Sequence, residues 1–324
     1  METLGFFSTL TSKLTIMKIL YTSLIILLLI SCKSQNAKTT ESSNTNNYTY
    51  NNEQLLIDIK TLSSDAFEGR RTGTKGAEKA KNYIVNRFKD LNVAPLTENY
   101  EQAFMFNLQD RTYNGINVLG FIEGQTHPNK YIVISAHYDH EGVKNGVIYN
   151  GADDDASGVS ALFALADDLQ KNPPNYSVIL AAFDAEELGL KGSYHFIENS
   201  IVEKNQIVLN LNMDMISRSE ANQLFAVGTR YHSLLKPAIE ANKSFGKVNL
   251  LTGHEGLDQS DNWTFSSDHA AFYKAEIPFV YFGVADHEDY HKPTDDFERI
   301  DPFFYKDAVQ TIINVFKMYD VLNF

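Results

Sequence analysis

Five short segments of this 324-residue chain carry side chains able to bind a metal cation or move a proton. They are His137-Tyr138-Asp139-His140, the stretch Gly151–Gly158 (GADDDASG), Asp184-Ala185-Glu186-Glu187, the single Asp214, and the loop Asp286–His291. Imidazole nitrogens and carboxylate oxygens without thiolate suit zinc, with cobalt or manganese as substitutes. The last loop contains His287-Glu288-Asp289-Tyr290-His291, a literal H-E-x-x-H. On a helix that spacing turns two imidazoles toward one zinc, with the glutamate as base. The flanking residues argue against a helix. Pro293 disfavours helical backbone at Lys292, and the window DHEDYHK has no apolar stripe. A one-zinc endopeptidase built on His287 and His291 also lacks a third ligand downstream, so His287 and Glu288 read as bystanders.

Each segment alone has an ordinary explanation. Glu186-Glu187 could be the acidic first turn of a helix near Leu190, and the aspartates of GADDDASG could cap the helix that follows. What these explanations leave open is why four of the five segments follow hydrophobic runs. Strand-like runs are Ile116–Ile122, Tyr131–Ala136, Ser177–Phe183, Gln206–Met213, Leu224–Val227 and Pro278–Phe282. Several are almost continuously apolar, as strands covered on both faces are. Helical patterns alternate with them at Lys75–Leu91, Ala156–Leu169, Leu190–Asn199, Tyr231–Asn242 and Pro302–Leu322. Such alternation predicts an α/β fold, a mostly parallel mixed sheet sandwiched between helices. Sites in open sheets of this kind form where strands end, and His137, Asp184–Glu187, Asp214 and the 286–291 loop all stand there.

In this order, His137-Tyr138-Asp139, GADDDASG, DAEELGLKGS, Asn212-Met213-Asp214 and YHKPTDD resemble the di-zinc exopeptidase family. That family includes bacterial leucyl aminopeptidases, glutamate carboxypeptidase and the glutaminyl cyclases. The resemblance runs from about Leu62, where LSSDAFEGRRTGT is similar to the family's N-terminal segment, to about Asp295. It implies one catalytic domain of the zinc-exopeptidase, phosphorylase/hydrolase-like fold. It makes His137 and Asp214 ligands of one zinc, Glu187 and His291 ligands of a second, and Asp154 the bridge, with a cis peptide bond at Asp154–Asp155. Glu186 becomes general base and acid, and Tyr290 the hydroxyl donor to the oxyanion. Asp139 is implied as the carboxylate orienting His137, and Asp155 and Asp268 as supporting carboxylates. His140 adjoins the site but matches no ligand position. Charge agrees with two ions: Asp154, Glu187 and Asp214 give −3, two divalent ions +4, and a bridging hydroxide closes the sum.

The resemblance implies a metal-dependent exopeptidase, with aminopeptidase action on peptides expected first. Carboxypeptidase or dipeptidase action, glutaminyl cyclisation and a non-catalytic binding lipoprotein remain alternatives. The remaining histidines have plain readings, His127 in a polar turn and His195 and His232 on half-exposed helical faces.

The chain carries 28 basic and 41 acidic residues, net −13, without a basic cluster, which argues against nucleic-acid binding. Met17-Lys18, the apolar run Ile19–Ile30 and Ser31-Cys32 read as a secretory signal, too short to span a bilayer. Leu29–Cys32 resembles a bacterial lipobox, which makes Cys32 a lipidation site, Met17 the start, and the chain an exported protein held to a membrane by lipid alone. Residues 33–52, rich in Ser, Thr and Asn, are expected to be a flexible linker, and residues 53–324 the peptidase domain. Cys32 is the only cysteine, so the domain holds no disulfide.

Overall fold

Every residue of three strands, Tyr176–Phe183, Ile207–Met213 and Phe279–Gly283, is buried, and such strands need helices on both faces. The computed structural model describes residues 47–256 and 261–324. The signal segment, Cys32 and most of the polar linker lie outside the described residues.

The strands in chain order are β1 Ala94–Pro95, β2 Glu101–Leu108, β3 Arg111–Ile122, β4 His127–His137, β5 Gly142–Lys144, β6 Val147–Tyr149, β7 Tyr176–Phe183, β8 Ile207–Met213, β9 Gln223–Val227, β10 Ser244–Phe245, β11 Val248–Thr252 and β12 Phe279–Gly283. The main sheet runs β1-β3-β7-β4-β8-β12-β9-β11-β10, with β2 paired to β3. Its centre, β7-β4-β8-β12, is parallel throughout, whereas β3 and β9 join that centre antiparallel. The sheet is therefore mixed with a parallel heart, as expected. β5 and β6 form a separate hairpin.

The helices are α1 Asn52–Leu62, α2 Lys75–Asp90, α3 Gly158–Lys171, α4 Lys191–Glu198, α5 Lys236–Ala241, α6 His269–Lys274 and α7 Pro302–Tyr319. Alternation along the strands assigns them to two layers. Ile132, Ile134 and Ala136 of β4, with Val178, Leu180 and Ala182 of β7, pack with α1, α2, α3, α5 and α7. Val133, Ile179, Ala181 and Phe183 face the other way, onto Phe196 of α4 and Phe272 of α6.

Three sequence expectations need correction. Residues 48–52, expected in the linker, are part of the folded chain. Tyr48 and Tyr50 donate their hydroxyls to Asp307 and to the Lys306 carbonyl at 2.8 Å each, and Asn51 caps α1. The two tyrosines supply the apolar surface that the preceding polar stretch lacks. The helical pattern Tyr231–Asn242 yields a helix only from Lys236, because Pro237 fits in a first turn and not in an interior one. His127 opens β4 instead of lying in a turn, its ring 4.6 Å from that of Tyr176.

Arg70 ties the N-terminal segment to the loops at the strand ends. Its guanidinium is buried and donates to the carbonyls of Tyr138 (2.8 Å), Leu62 (2.8 Å), Asn150 (2.5 Å) and Gly151 (2.9 Å). It touches no carboxylate, so its charge is offset at longer range by Asp154, Asp295, Asp155 and Asp139. Replacing it leaves four carbonyls unsatisfied and removes the positive charge facing those acids. Arg70→Met is expected to lower stability by about 3–5 kcal/mol in urea denaturation. A loss under about 1 kcal/mol would show that the carbonyls find other donors.

Candidate metal centre

The parallel strands β7, β4, β8 and β12 are neighbours, so their C-terminal ends open onto one place. β4 ends on His137, β7 runs into Asp184–Glu187, β8 into Asp214, and β12 into the loop carrying Tyr290 and His291. The exits are laced by backbone bonds, Tyr138 N–H to the Phe183 carbonyl (2.9 Å) and Asp214 N–H to the Phe282 carbonyl (3.1 Å). Asp154 arrives from the turn before α3, across a cis peptide bond to Asp155.

Two groups of donors share Asp154. On one side His137 Nε2 lies 3.2 Å from Asp154 Oδ1 and 3.5 Å from Asp214 Oδ1. On the other, His291 Nε2 lies 3.2 Å from Asp154 Oδ2 and 3.4 Å from Glu187 Oε2. Bonds of about 2.0–2.1 Å to a tetrahedral zinc set neighbouring donors about 3.3 Å apart, and these spacings match. A second observation points the same way. Glu187 Oε1 and both ring nitrogens of His140 are buried without a hydrogen-bond partner. Native interiors rarely leave such atoms unpaired, and a cation is the partner that carboxylate and imidazole share. The donor set fits zinc, and the five residues expected as ligands (His137, Asp154, Glu187, Asp214, His291) are brought together.

Other acids hold the backbone that carries these donors. Asp155 also comes near His137 and Asp214, but its oxygens accept from the backbone N–H groups of His137 (3.2 Å), Gly158 (2.8 Å) and Met215 (3.3 Å). It therefore supports the site and does not ligate. Gly158 is required there, since a Cβ would fall 2.5 Å from Asp155 Oδ2. Asp295, at the end of YHKPTDD, accepts the N–H groups of Asp153 (3.0 Å) and Asp154 (3.1 Å). Asp139 departs from expectation. The atom meeting His137 Nδ1 at 3.0 Å is its backbone carbonyl, while its carboxylate stands 3.7 Å away. That carboxylate instead accepts the N–H groups of Glu186 (3.0 Å) and Glu187 (3.3 Å), so it positions the glutamates.

The H-E-x-x-H run forms no helix; it is a loop and turn in which His291 has φ +53°. His287 is not a bystander, because its Nε2 lies 2.9 Å from Asp153 Oδ2 and pins the loop to the turn before α3. Asp289 accepts from Arg218 and Arg299 and anchors the loop from the other side. The one-zinc endopeptidase fails here, since His287 and His291 face different partners.

A cavity of about 230 Å³ opens onto the donors. Glu186 and Tyr290 line it beside His137, Asp154, Asp214 and His291, and Met215, Trp263, Tyr281 and Val284 supply its apolar wall. Burial pushes the Glu186 carboxyl well up from its ordinary range, with Asp214 and Asp268 adding to the shift and His137 opposing it. Asp268 is wholly buried with neither oxygen hydrogen-bonded, and burial raises it to about 7. Tyr290 stacks on His291 at 3.9 Å, and burial with nearby carboxylates raises its phenol. Sequence reasoning missed the apolar wall and Arg70, and it gave His140 no part. Arg70 lies within LSSDAFEGRRTGT, and Trp263 is the chain's only tryptophan.

Comparison with known proteins agrees with this geometry. The profile of Peptidase family M28 matches residues 117–316, more than half of the chain. Aminopeptidase YwaD of Bacillus subtilis is 29% identical over 198 residues, covering 57% of this chain and 40% of that protein. The chain spans less than half the length of the first curated relatives it matches. Among solved structures, Porphyromonas gingivalis glutaminyl cyclase superposes with a TM-score of 0.70 at 16% identity, over 84% of this chain and 100% of that one. BSAP, a zinc aminopeptidase from Bacillus subtilis, gives 0.68 at 16% identity, over 84% and 96%. At such identities these likenesses speak for the fold, and the profile match speaks for descent: the chain belongs to Peptidase family M28.

Proposed function

We propose that the protein is an aminopeptidase that holds two metal ions, zinc first among them, and removes N-terminal residues from peptides. The observation that carries this reading is the composition of the cavity. It contains Glu186, Asp261 and Asp286 but no Lys or Arg among its described lining residues. A carboxypeptidase needs a cation for the substrate's terminal carboxylate, whereas an acidic cavity suits a free α-ammonium. Asp261 is already engaged by His254 and Trp263, which leaves Asp286 as the acid at the rim for the amine. The apolar wall suits a hydrophobic first side chain.

His137, Asp154 and Asp214 would hold one ion, and Asp154, Glu187 and His291 the other. Bound metals polarise the scissile carbonyl and lower the pKa of water. Glu186 takes the proton of the attacking water and returns it to the leaving amine. Tyr290, kept protonated by its raised pKa, donates its hydroxyl to the developing oxyanion.

Glu186→Gln is expected to keep fold and metal content while losing turnover by about 10²–10⁴-fold. Activity close to the unaltered protein's would remove Glu186 from this role. A substrate panel separates the alternatives. Leucyl-anilide should be cleaved and its N-acetylated form should not; cyclisation of an N-terminal glutamine without hydrolysis would favour a cyclase, and release of C-terminal residues a carboxypeptidase.

The metal-free centre keeps protons where cations would sit. Burial and Asp154 push Glu187 up to about 9, and the Asp154 carboxylate raises His291 to about 9. Groups whose folded pKa lies above the unfolded value lose their stabilising protons as pH climbs toward the folded pKa. Between pH 7 and 9 the metal-free protein should therefore lose several degrees of Tm. The zinc-loaded protein should hold its Tm, because zinc binds the deprotonated ligands. Parallel melting curves would speak against a shared proton and metal site.

The N-terminal sequence supports export as a lipoprotein anchored to a bacterial membrane through Cys32, facing the periplasm or the cell surface. Among the described residues no helix is long and apolar enough to cross a membrane. Labelled palmitate should enter the full-length protein in a bacterial host and be absent from Cys32→Ser; equal labelling of both would place the lipid elsewhere.

A further inference from the structure

His140 has no part in the ligand set proposed above, yet it is wholly buried and neither ring nitrogen has a hydrogen-bond partner. Its Nδ1 lies 2.8 Å from Glu187 Oε1 and 3.6 Å from Asp154 Oδ2. The contact with Glu187 is short enough for a hydrogen bond but is not aligned as one, since Glu187 Oε1 is itself without a partner. Short, misaligned approaches are what donors show when they converge on a third centre rather than on each other. Donor atoms of His140, Asp154 and Glu187 lie within 4.8 Å of one another, and the His291 ring is 6.0 Å from that of His140.

The surrounding chain is arranged around this ring. Gly151 has φ +57°, and a Cβ there would lie 2.5 Å from His140 Cγ, so a larger residue would occupy the ring's space. Arg70 binds the carbonyls of Tyr138 and Gly151, and so fixes the chain before His140 and the chain packed against it.

We propose that His140 is a protein ligand, through Nδ1, of the ion held by Glu187 and His291. This rests on the two-ion reading and deepens it. The two positions then differ. Asp154, Glu187, His291 and His140 give one ion four protein donors, the closed set of a firmly held zinc. His137, Asp154 and Asp214 give the other three, which leaves a place for water or substrate. The ion beside His140 is the one bound first and released last.

The test is zinc X-ray absorption on the full-length, zinc-loaded protein, which counts imidazoles, together with chelator titration. The unaltered protein should show three imidazoles shared by two zincs, and His140→Phe two. In the titration His140→Phe should release at least one zinc at about a tenfold to a hundredfold lower chelator concentration. An imidazole count of two in the unaltered protein overturns the proposal, whether or not the variant folds. A weakened zinc with an unchanged count of two also overturns it, since His140 would then only position Glu187. If the chain holds one zinc, the two-ion reading fails separately. The count about that zinc still decides: two imidazoles keep His140 as a ligand and one removes it.

Discussion

The carboxyl groups of Asp154, Glu187 and Asp214 converge where four neighbouring strands end, and the rest of the centre follows from that. Burying one carboxylate without a partner costs several kcal/mol, and here the acids also repel one another. Arg70 is the only buried Lys or Arg among the described residues, and its nitrogens are spent on carbonyls. The protein's own cations cannot neutralise the cluster. Glu187 and His291 hold their protons more tightly there than they would in water, and a divalent ion offers two charges and fixed directions in their place. The fold thus gathers donors suited to a metal at this place.

The acids divide by what their oxygens accept. Asp139, Asp155 and Asp295 spend theirs on backbone N–H groups at the strand exits and on the turn before α3. Those bonds satisfy the acids' oxygens and set the positions of the backbone that carries the candidate metal donors. Asp154 and Glu187 keep oxygens turned toward imidazoles instead. A residue's type does not reveal to which group it belongs. The number of N–H groups around it does, and that depends on how the loops fold.

This limit explains what was legible beforehand. The parallel heart of the sheet could be read because fully buried strands are continuous apolar runs, and its exits were marked by charges directly after them. The five donors could be placed by motif order. Which groups Asp139 meets is not legible in sequence, because backbone and side-chain acceptors of one residue look alike there. His287 looked idle since its partner, Asp153, lies 134 residues away. His140 looked idle since the motif already seemed complete. Tyr48 and Tyr50 stand among polar neighbours in sequence, and only their aromatic rings mark them as residues to bury.

The strand exits and the cavity wall obey different constraints. The exits are held by backbone hydrogen bonds and charge compensation, so a change at any one of them disturbs all. The wall is built from Met215 after β8, Trp263 before α6, Tyr281 in β12 and Val284 just after it, and Val284 N–H donates to the Met215 carbonyl at 2.9 Å. Exchanging the side chain of Met215 or Val284 for another apolar one alters the shape of the cavity without releasing a partner of a charged group. A chain could therefore keep the centre through extensive change elsewhere and still change its substrate. A fold shared with a glutaminyl cyclase and with an aminopeptidase, at identities near 16% and TM-scores of about 0.7, carries no substrate preference. That is why the choice between those activities has to be argued from the acids and apolar residues lining this cavity, and why the fold they share cannot decide it.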